Sequence, residues 1–273
     1  MISVMSAPAV VLTAPADELT SQAGNPDFVL SLARGLRVIE SFEGHHDGRS
    51  IVEISQSTGL SRASIRRILL TLELLGYVER SRQVYRLRTQ VLRLGFSYLS
   101  SSSVVEAARP VLERITEDLH ESSSMSMLDG GQIVYVARSA ASRILAAGLS
   151  VGSRLPAYCT SMGRILLAAL PDEELAAYLR DLKPKAYTSK TVTRIPLIRK
   201  AILQVRTDGY AIVDEELEAG LRSIAVPVYT RGNRVVAAMN VGTHTSRVDR
   251  ATLIHRCLPA LQRGARTLRS ILI

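Results

Sequence analysis

Ser50-Ile51-Val52-Glu53-Ile54-Ser55-Gln56-Ser57-Thr58-Gly59-Leu60-Ser61-Arg62-Ala63-Ser64-Ile65-Arg66-Arg67 is the stretch whose reading decides the architecture. Ser50 and Glu53 stand at the spacing of a capping box, in which each side chain satisfies an orphan amide of a helix start. Gly59 supplies the left-handed conformation that ends such a helix. Only Leu60 separates it from Ser61, a good N-cap for the next helix. Two short helices joined through a glycine turn form a helix-turn-helix. The second helix, Arg62 to Leu75, is expected to bury Ile65, Ile68, Leu69, Leu72 and Leu75, with Leu70 and Leu74 on the far side and buried elsewhere.

Upstream, Leu30 to Phe42 reads as a helix with Leu32, Leu36 and Ile39 on one apolar stripe. Glu43–Arg49 then forms a loop broken by Gly44 and Gly48. Downstream, Gly76 stops the second helix, and Tyr77–Arg80 and Val84–Arg88 read as two strands around Ser81-Arg82-Gln83. That hairpin is a basic wing carrying Arg80, Arg82, Arg86 and Arg88. Residues 27–90 net only +3, but at least seven of their ten arginines fall on the helix and the wing. In this arrangement the start of the recognition helix meets base edges and the wing meets phosphate. The expected DNA-contacting residues are Ser61, Arg62, Ala63, Ser64, Arg66, Arg67, Arg80 and Arg82.

The whole chain supports this reading. It has 273 residues and a formal net charge of +9, which suits a polyanionic partner, and its length favours two domains. Hydrophobic residues make up 47% and charged residues 22%, so most of it can bury a core. Cys159 and Cys257 are far apart and in no paired motif, which places the chain in a reducing cytoplasm. No apolar run reaches the length of a membrane span. Residues 1–27 read as a flexible tail, 28–90 as the winged helix-turn-helix, 91–104 as a linker helix, and 105–273 as a second domain.

In that second domain, Asp129-Gly130-Gly131 between Met125–Leu128 and Ile133–Ala137 signals one hairpin. Arg231-Gly232-Asn233 between Ile224–Tyr229 and Val235–Val241 signals another. Helices are expected at Ser161–Leu170, Asp172–Asp181, Arg194–Asp208 and Asp249–Leu272, and at Val105–His120, where Pro110 marks a kink or a fresh start. The fold class is therefore α+β, an antiparallel sheet with flanking helices. Thr160, Ser161 and Gly163 place hydroxyls and amides at a helix start, which suits a carboxylate and equally a plain cap. Asp214-Glu215-Glu216-Leu217-Glu218 could supply metal ligands, but no histidine stands at a ligand spacing, and the run reads as a solvated turn. Cys159 reads as a buried thiol rather than a nucleophile. With no phosphate loop, dinucleotide fingerprint or nucleophile elbow, neither catalytic residues, a metal nor a cofactor is expected. An enzyme with an accessory winged helix is the rival reading.

Taken together, these parts resemble the isocitrate lyase regulator (IclR) family of bacterial transcription factors. The resemblance runs from residue 28 to 273. It is carried by Ser31–Ile39, Leu60-Ser61-Arg62-Ala63, Leu75-Gly76-Tyr77-Val78-Glu79-Arg80, Pro156–Arg164 and Gly220-Leu221-Arg222-Ser223-Ile224-Ala225. Leu155–Arg164 and Asp214–Glu218 are similar to the subgroup that controls protocatechuate and 4-hydroxybenzoate catabolism, the β-ketoadipate route. Met162 and Arg164 follow that subgroup, where many members carry a small residue and Lys. The resemblance implies a homodimer, or a dimer of dimers, on a double-stranded DNA operator. It also implies a C-terminal domain that binds a small carboxylate effector, either an aromatic acid or the acid of another pathway. The family's effector pocket, carried over, falls on Ile144, Ala147, Leu155, Ser161, Met162, Asp214, Ser223, Asn240 and Gly242, and Thr160 joins it from the reading above. Some members have two serines on the last strand where this chain has Asn240 and Gly242.

Overall fold

The computed structural model describes residues 25–141 and 149–272, which form two compact units parting between Tyr98 and Leu99. In the first unit, α1 (Leu30–Glu40), α2 (Ile51–Thr58) and α3 (Arg62–Leu74) pack with a small sheet. The capping box forms: Glu53 N donates to Ser50 Oγ at 3.3 Å, and Ser50 N donates to Glu53 Oε2 at 2.7 Å. Gly59 takes φ +70° and closes α2, and Ser61 Oγ accepts from Ser64 N at 3.2 Å to open α3.

The wing has three strands. To the hairpin of β2 (Val78–Ser81) and β3 (Val84–Leu87) the fold adds β1 (Arg49–Ser50), in the order β1-β3-β2. The loop expected over Glu43–Arg49 thus ends in a strand. Gly48 makes the pairing possible, because at φ +83° a Cβ there would lie 2.4 Å from the Tyr85 carbonyl oxygen.

Val38, Phe42, Ile54, Ile65, Leu69, Leu72, Val78 and Tyr85 form the core of this unit. This corrects the expected stripe of α1. Leu32 and Leu36 are 61% and 47% exposed, and Val38 and Phe42 face inward. Leu75 is also exposed, because α3 ends at Leu74 and the chain turns away at Gly76. Leu70 and Leu74 are exposed rather than buried elsewhere.

A short 3-10 turn (Thr89–Val91) leads into α4 (Leu92–Ser101) and then α5 (Ser103–Leu119), which passes Pro110 without interruption. The second unit is built on a six-stranded antiparallel sheet: β4 (Ser122–Asp129), β5 (Gln132–Ser139), β6 (Arg154–Pro156), β7 (Ala211–Asp214), β8 (Leu221–Tyr229) and β9 (Val235–His244). Its order is β6-β5-β4-β9-β8-β7. Both predicted hairpins are present, and the edge strands β6 and β7 are additions, too short to announce themselves by alternation.

Each face of the sheet is covered. On one, α5 and the C-terminal helix pack Leu112, Ile115, Leu261 and Leu268 against Val226, Val228, Met239 and Val241. On the other lie α6 (Ser161–Ala168), α7 (Asp172–Asp181) and α8 (Ile195–Asp208), whose apolar side chains meet Ile133, Tyr135, Ala225 and Ala238. The last helix comes in pieces: a short turn α9 (Arg250–Thr252), a π-helical segment (Leu253–Cys257) and α10 (Leu258–Ile271). Pro259 explains the π segment, since it lacks an N–H and its ring crowds the carbonyl four residues earlier.

Candidate nucleic-acid interface and small-molecule site

The start of α3 is presented to solvent. Ser61, Arg62, Ala63, Arg66 and Arg67 are exposed and Ser64 is half-buried, while Ile65 and Leu69 hold the helix to its unit from the other side. None of these three arginines has an acidic partner within ion-pair distance among the described residues, so their charge is available to a phosphate or a guanine edge. At the wing tip, Arg82 takes φ +57° and is exposed. Arg80 lies 5.8 Å over the Tyr85 ring and donates from Nε to the Arg82 carbonyl at 3.0 Å, which stiffens the tip. Arg86 is tied back to the Asp47 carbonyl at 3.1 Å.

Two other arginines of this unit are buried. Arg49 is buried and donates to the carbonyls of Ser41 (2.5 Å) and Glu53 (2.7 Å), bolting α1 to α2. Burial pushes its guanidinium below the ordinary arginine value, against the opposing pull of Glu53. Arg37 is buried in α1.

In the second unit, strand register decides which expected site residues come together. Ser122, Ser124 and Ser126 on β4 stand opposite Gly242, Asn240 and Ala238 on β9, and Gly242 and Asn240 stand opposite Ser223 and Ala225 on β8. Ala225 and Ala238 belong to the core beneath α6, so all of these face that helix. The floor is made of small and polar side chains, and a Cβ built at Gly242 would meet no heavy atom within 4 Å. Ser161 Oγ lies 2.8 Å from Ser223 Oγ, both buried, which joins the start of α6 to the floor. Met162 is buried and its Sδ accepts from Ser126 Oγ at 3.2 Å. Leu155, on β6, packs against the same core.

Thr160 acts as a cap. Its Oγ1 accepts from Gly163 N at 3.3 Å and donates to the Pro156 carbonyl at 3.0 Å, leaving the hydroxyl no free proton. The Gly163 amide expected to be free is thereby taken. Gly163 itself is demanded by space, since a Cβ there would lie 2.1 Å from the Ala157 carbonyl oxygen.

Asp214 is not brought to this site. It continues the face of Ile212, which packs toward α5 and the C-terminal helix, and it grips Arg222 through two bonds of 2.9 and 2.8 Å. Nor is the acidic run a solvated turn. Glu215 pairs with Lys190, and buried Glu216 has both carboxylate oxygens 2.7 Å from Arg164 Nη2. Ile144 and Ala147 lie outside the described residues.

Sequence reasoning missed Ser124, Ser126 and Arg138, which share the floor. The two serines had a signal in the alternation of Ser122, Ser124 and Ser126 leading into a strong hairpin turn, and Arg138 had none. That period puts all three serines on one face.

A capped helix-turn-helix with a basic wing, followed by a two-faced α+β domain with a polar floor under one helix, defines a ligand-responsive DNA-binding protein. The family models agree. Residues 31–82 match the IclR helix-turn-helix domain and residues 96–270 match the bacterial transcriptional regulator IclR C-terminal domain, so the chain belongs to the IclR family of transcriptional regulators.

Among its relatives, the Pca regulon regulatory protein of Pseudomonas putida is 47% identical over 259 residues, 94% of this chain and 89% of that protein. The crystal structure of a transcriptional regulator from Rhodococcus sp. RHA1 is similar at a TM-score of 0.81 and 47% identity, over 90% of this chain and 98% of that one. The inducer-binding domain of PobR from Acinetobacter, solved as a double mutant with 3-hydroxybenzoic acid, is similar at a TM-score of 0.59 and 31% identity, over 62% of this chain and 98% of that one. Among the described residues, no helix is long and apolar enough to cross a membrane.

Proposed function

We propose that this regulator controls genes of aromatic acid catabolism, and that its effector is a small aromatic carboxylate held between the sheet and α6. The observation that carries the reading is the small and polar floor of buried Ser124, Asn240 and Ser223 and half-buried Gly242, facing the Ser161 end of α6. It supports a polar ligand in a chain 47% identical to a Pca regulon regulator. Leu155, Ser161, Met162, Ser223, Asn240 and Gly242 line the site, and Thr160 holds the helix start. Ser61, Arg62, Ala63, Ser64, Arg66 and Arg67 read the operator, with Arg80 and Arg82 on phosphate.

The working form is a cytoplasmic homodimer, or a dimer of dimers, whose recognition helices read two half-sites about one helical turn apart. The acid acts by binding one arrangement of the dimer better than another, since only differential affinity shifts an equilibrium. The protein itself carries out no chemistry on the acid.

Footprinting on the DNA upstream of its own and neighbouring genes, with protocatechuate, 4-hydroxybenzoate, β-ketoadipate or glyoxylate titrated in, tests this. Protocatechuate or 4-hydroxybenzoate is expected to change affinity or footprint at saturable concentration, and a response to β-ketoadipate alone would keep the pathway but replace the aromatic effector by an aliphatic one. A response confined to glyoxylate would move the protein to another pathway, and an unchanged footprint with all four would overturn the effector reading.

A further inference from the structure

Arg138 stands on β5 directly opposite Ser124, which in turn stands opposite Asn240 on β9. The phase of the strands puts all three on the face beneath α6, beside Tyr135, whose ring lies in that core. The charge of Arg138 reaches the Tyr135 hydroxyl, although burial still pushes that group up to about 12.

Arg138 is half-buried. Its Nη1 donates to the Leu149 carbonyl, and its Nε is buried with no hydrogen-bond partner. No carboxylate of a described residue lies within ion-pair distance of it, and the sequence of residues 142–148 contains no acid. The other buried or half-buried arginines among the described residues of this domain are matched: Arg164 with Glu216, Arg154 with Asp129, and Arg222 with Asp214. Withdrawing a cation from water without a counter-charge is costly, and at Arg138 the unpartnered Nε lies on the same face as the polar floor. Ser124 and Asn240 are also buried, and their side chains make no hydrogen bond among the described residues.

The start of α6 is the competing place for an anion. There the Gly163 amide is already satisfied by Thr160, and the Ser161 hydroxyl is shared with Ser223.

We infer that Arg138 anchors the carboxylate of the effector, with Ser124 and Asn240 completing its hydrogen bonds. The inference rests on the effector reading above and deepens it by orienting the ligand. The anionic end sits over β5 and β4, and the body extends across the open space at Gly242. A hydroxyl at the far end meets the Ser161–Ser223 pair. The class selected is a monocarboxylate with a hydroxyl opposite the acid.

Calorimetry on the full chain with 4-hydroxybenzoate, protocatechuate, glyoxylate and the uncharged 4-hydroxybenzamide tests it. The natural sequence is expected to prefer 4-hydroxybenzoate over its amide by about 10- to 100-fold, the range of a charge-assisted hydrogen bond. Arg138→Gln is expected to bring that ratio to within about twofold, with affinity for upstream DNA unchanged. Arg138→Lys, which keeps the charge, should retain part of the preference, separating the anchor from a merely lost tie to Leu149.

Full preference for the acid in Arg138→Gln overturns the anchor. So does a natural chain that binds the amide as well as the acid, or binds none of the four compounds. Binding of glyoxylate alone, abolished in Arg138→Gln, would uphold the anchor and sink only the aromatic assignment.

Discussion

Glu216 shows how much a single residue holds here. Its carboxylate is buried against Arg164 and also accepts from Val192 N at 3.2 Å, so α6 is fastened to the loop after β7. Glu216→Gln leaves the Arg164 charge without its counter-ion and is expected to cost about 3–5 kcal/mol, read as a lowered urea midpoint. A loss under 1 kcal/mol would show that the pair is dispensable. Burial pushes the Cys159 thiol up to about 12 and the Cys257 thiol up to about 11. Unfolded thiols ionise near 8.5, so this contribution to stability is complete below that pH and is lost as pH rises, through about 11 for Cys257 and about 12 for Cys159. At neutral pH both thiols stay protonated in the folded chain, and maleimide should label them only in denaturant. Prompt labelling of the native protein would contradict the burial. On the DNA side, Arg67→Ala should weaken binding to the specific site by about 1–3 kcal/mol if it reads a base. An equal loss on random DNA would reassign it to phosphate.

Among the elements, α2 and α3 were the most legible, because their signals are local. The Ser50–Glu53 box, the Gly59 end and the Ser61 cap are set by residues within one turn of each other, and all three form. Ser50→Ala is expected to destabilise the first unit by about 1 kcal/mol, visible as a lower thermal midpoint of that unit alone. A shift in the second unit's transition instead would show that the two do not melt separately. The expected stripe of α1 meets the core at Ile39 but not at Leu32 and Leu36, because these satisfy helical spacing as well as Val38 and Phe42 do. Periodicity finds a stripe but not its partner. Likewise β1, β6 and β7 are two to four residues long and exist only because a neighbouring strand offers its edge. The serines of β4 carried a readable alternation. Arg138 did not, since one arginine in a strand becomes a site residue only when register fixes its face.

For the molecule as a whole, Leu32 and Leu36 on α1 and Leu92 and Leu94 on α4 are apolar side chains left exposed. These surfaces support the proposed homodimer. Leu32→Glu with Leu36→Glu is expected to shift sedimentation toward the monomer and to weaken DNA binding by at least about 100-fold, the gain that linking two half-sites supplies. An unchanged dimer would place the interface elsewhere.

What the sequence by itself determined was the order of parts: a capped helix pair with a basic wing, then a domain of two antiparallel hairpins with intervening helices. Those features rest on caps, turns and short-range periodicity, which are physics of adjacent residues. Tertiary structure alone decided the contents of the small-molecule site. It sent Asp214 to the far face, bound Thr160 into a cap, and set Arg138 beside Ser124 and Asn240 from strands far apart in the chain. A one-residue change of register would turn each of these side chains to the opposite face. Register across β5, β4, β9 and β8 is fixed by burying two apolar faces at once, a condition no local stretch contains.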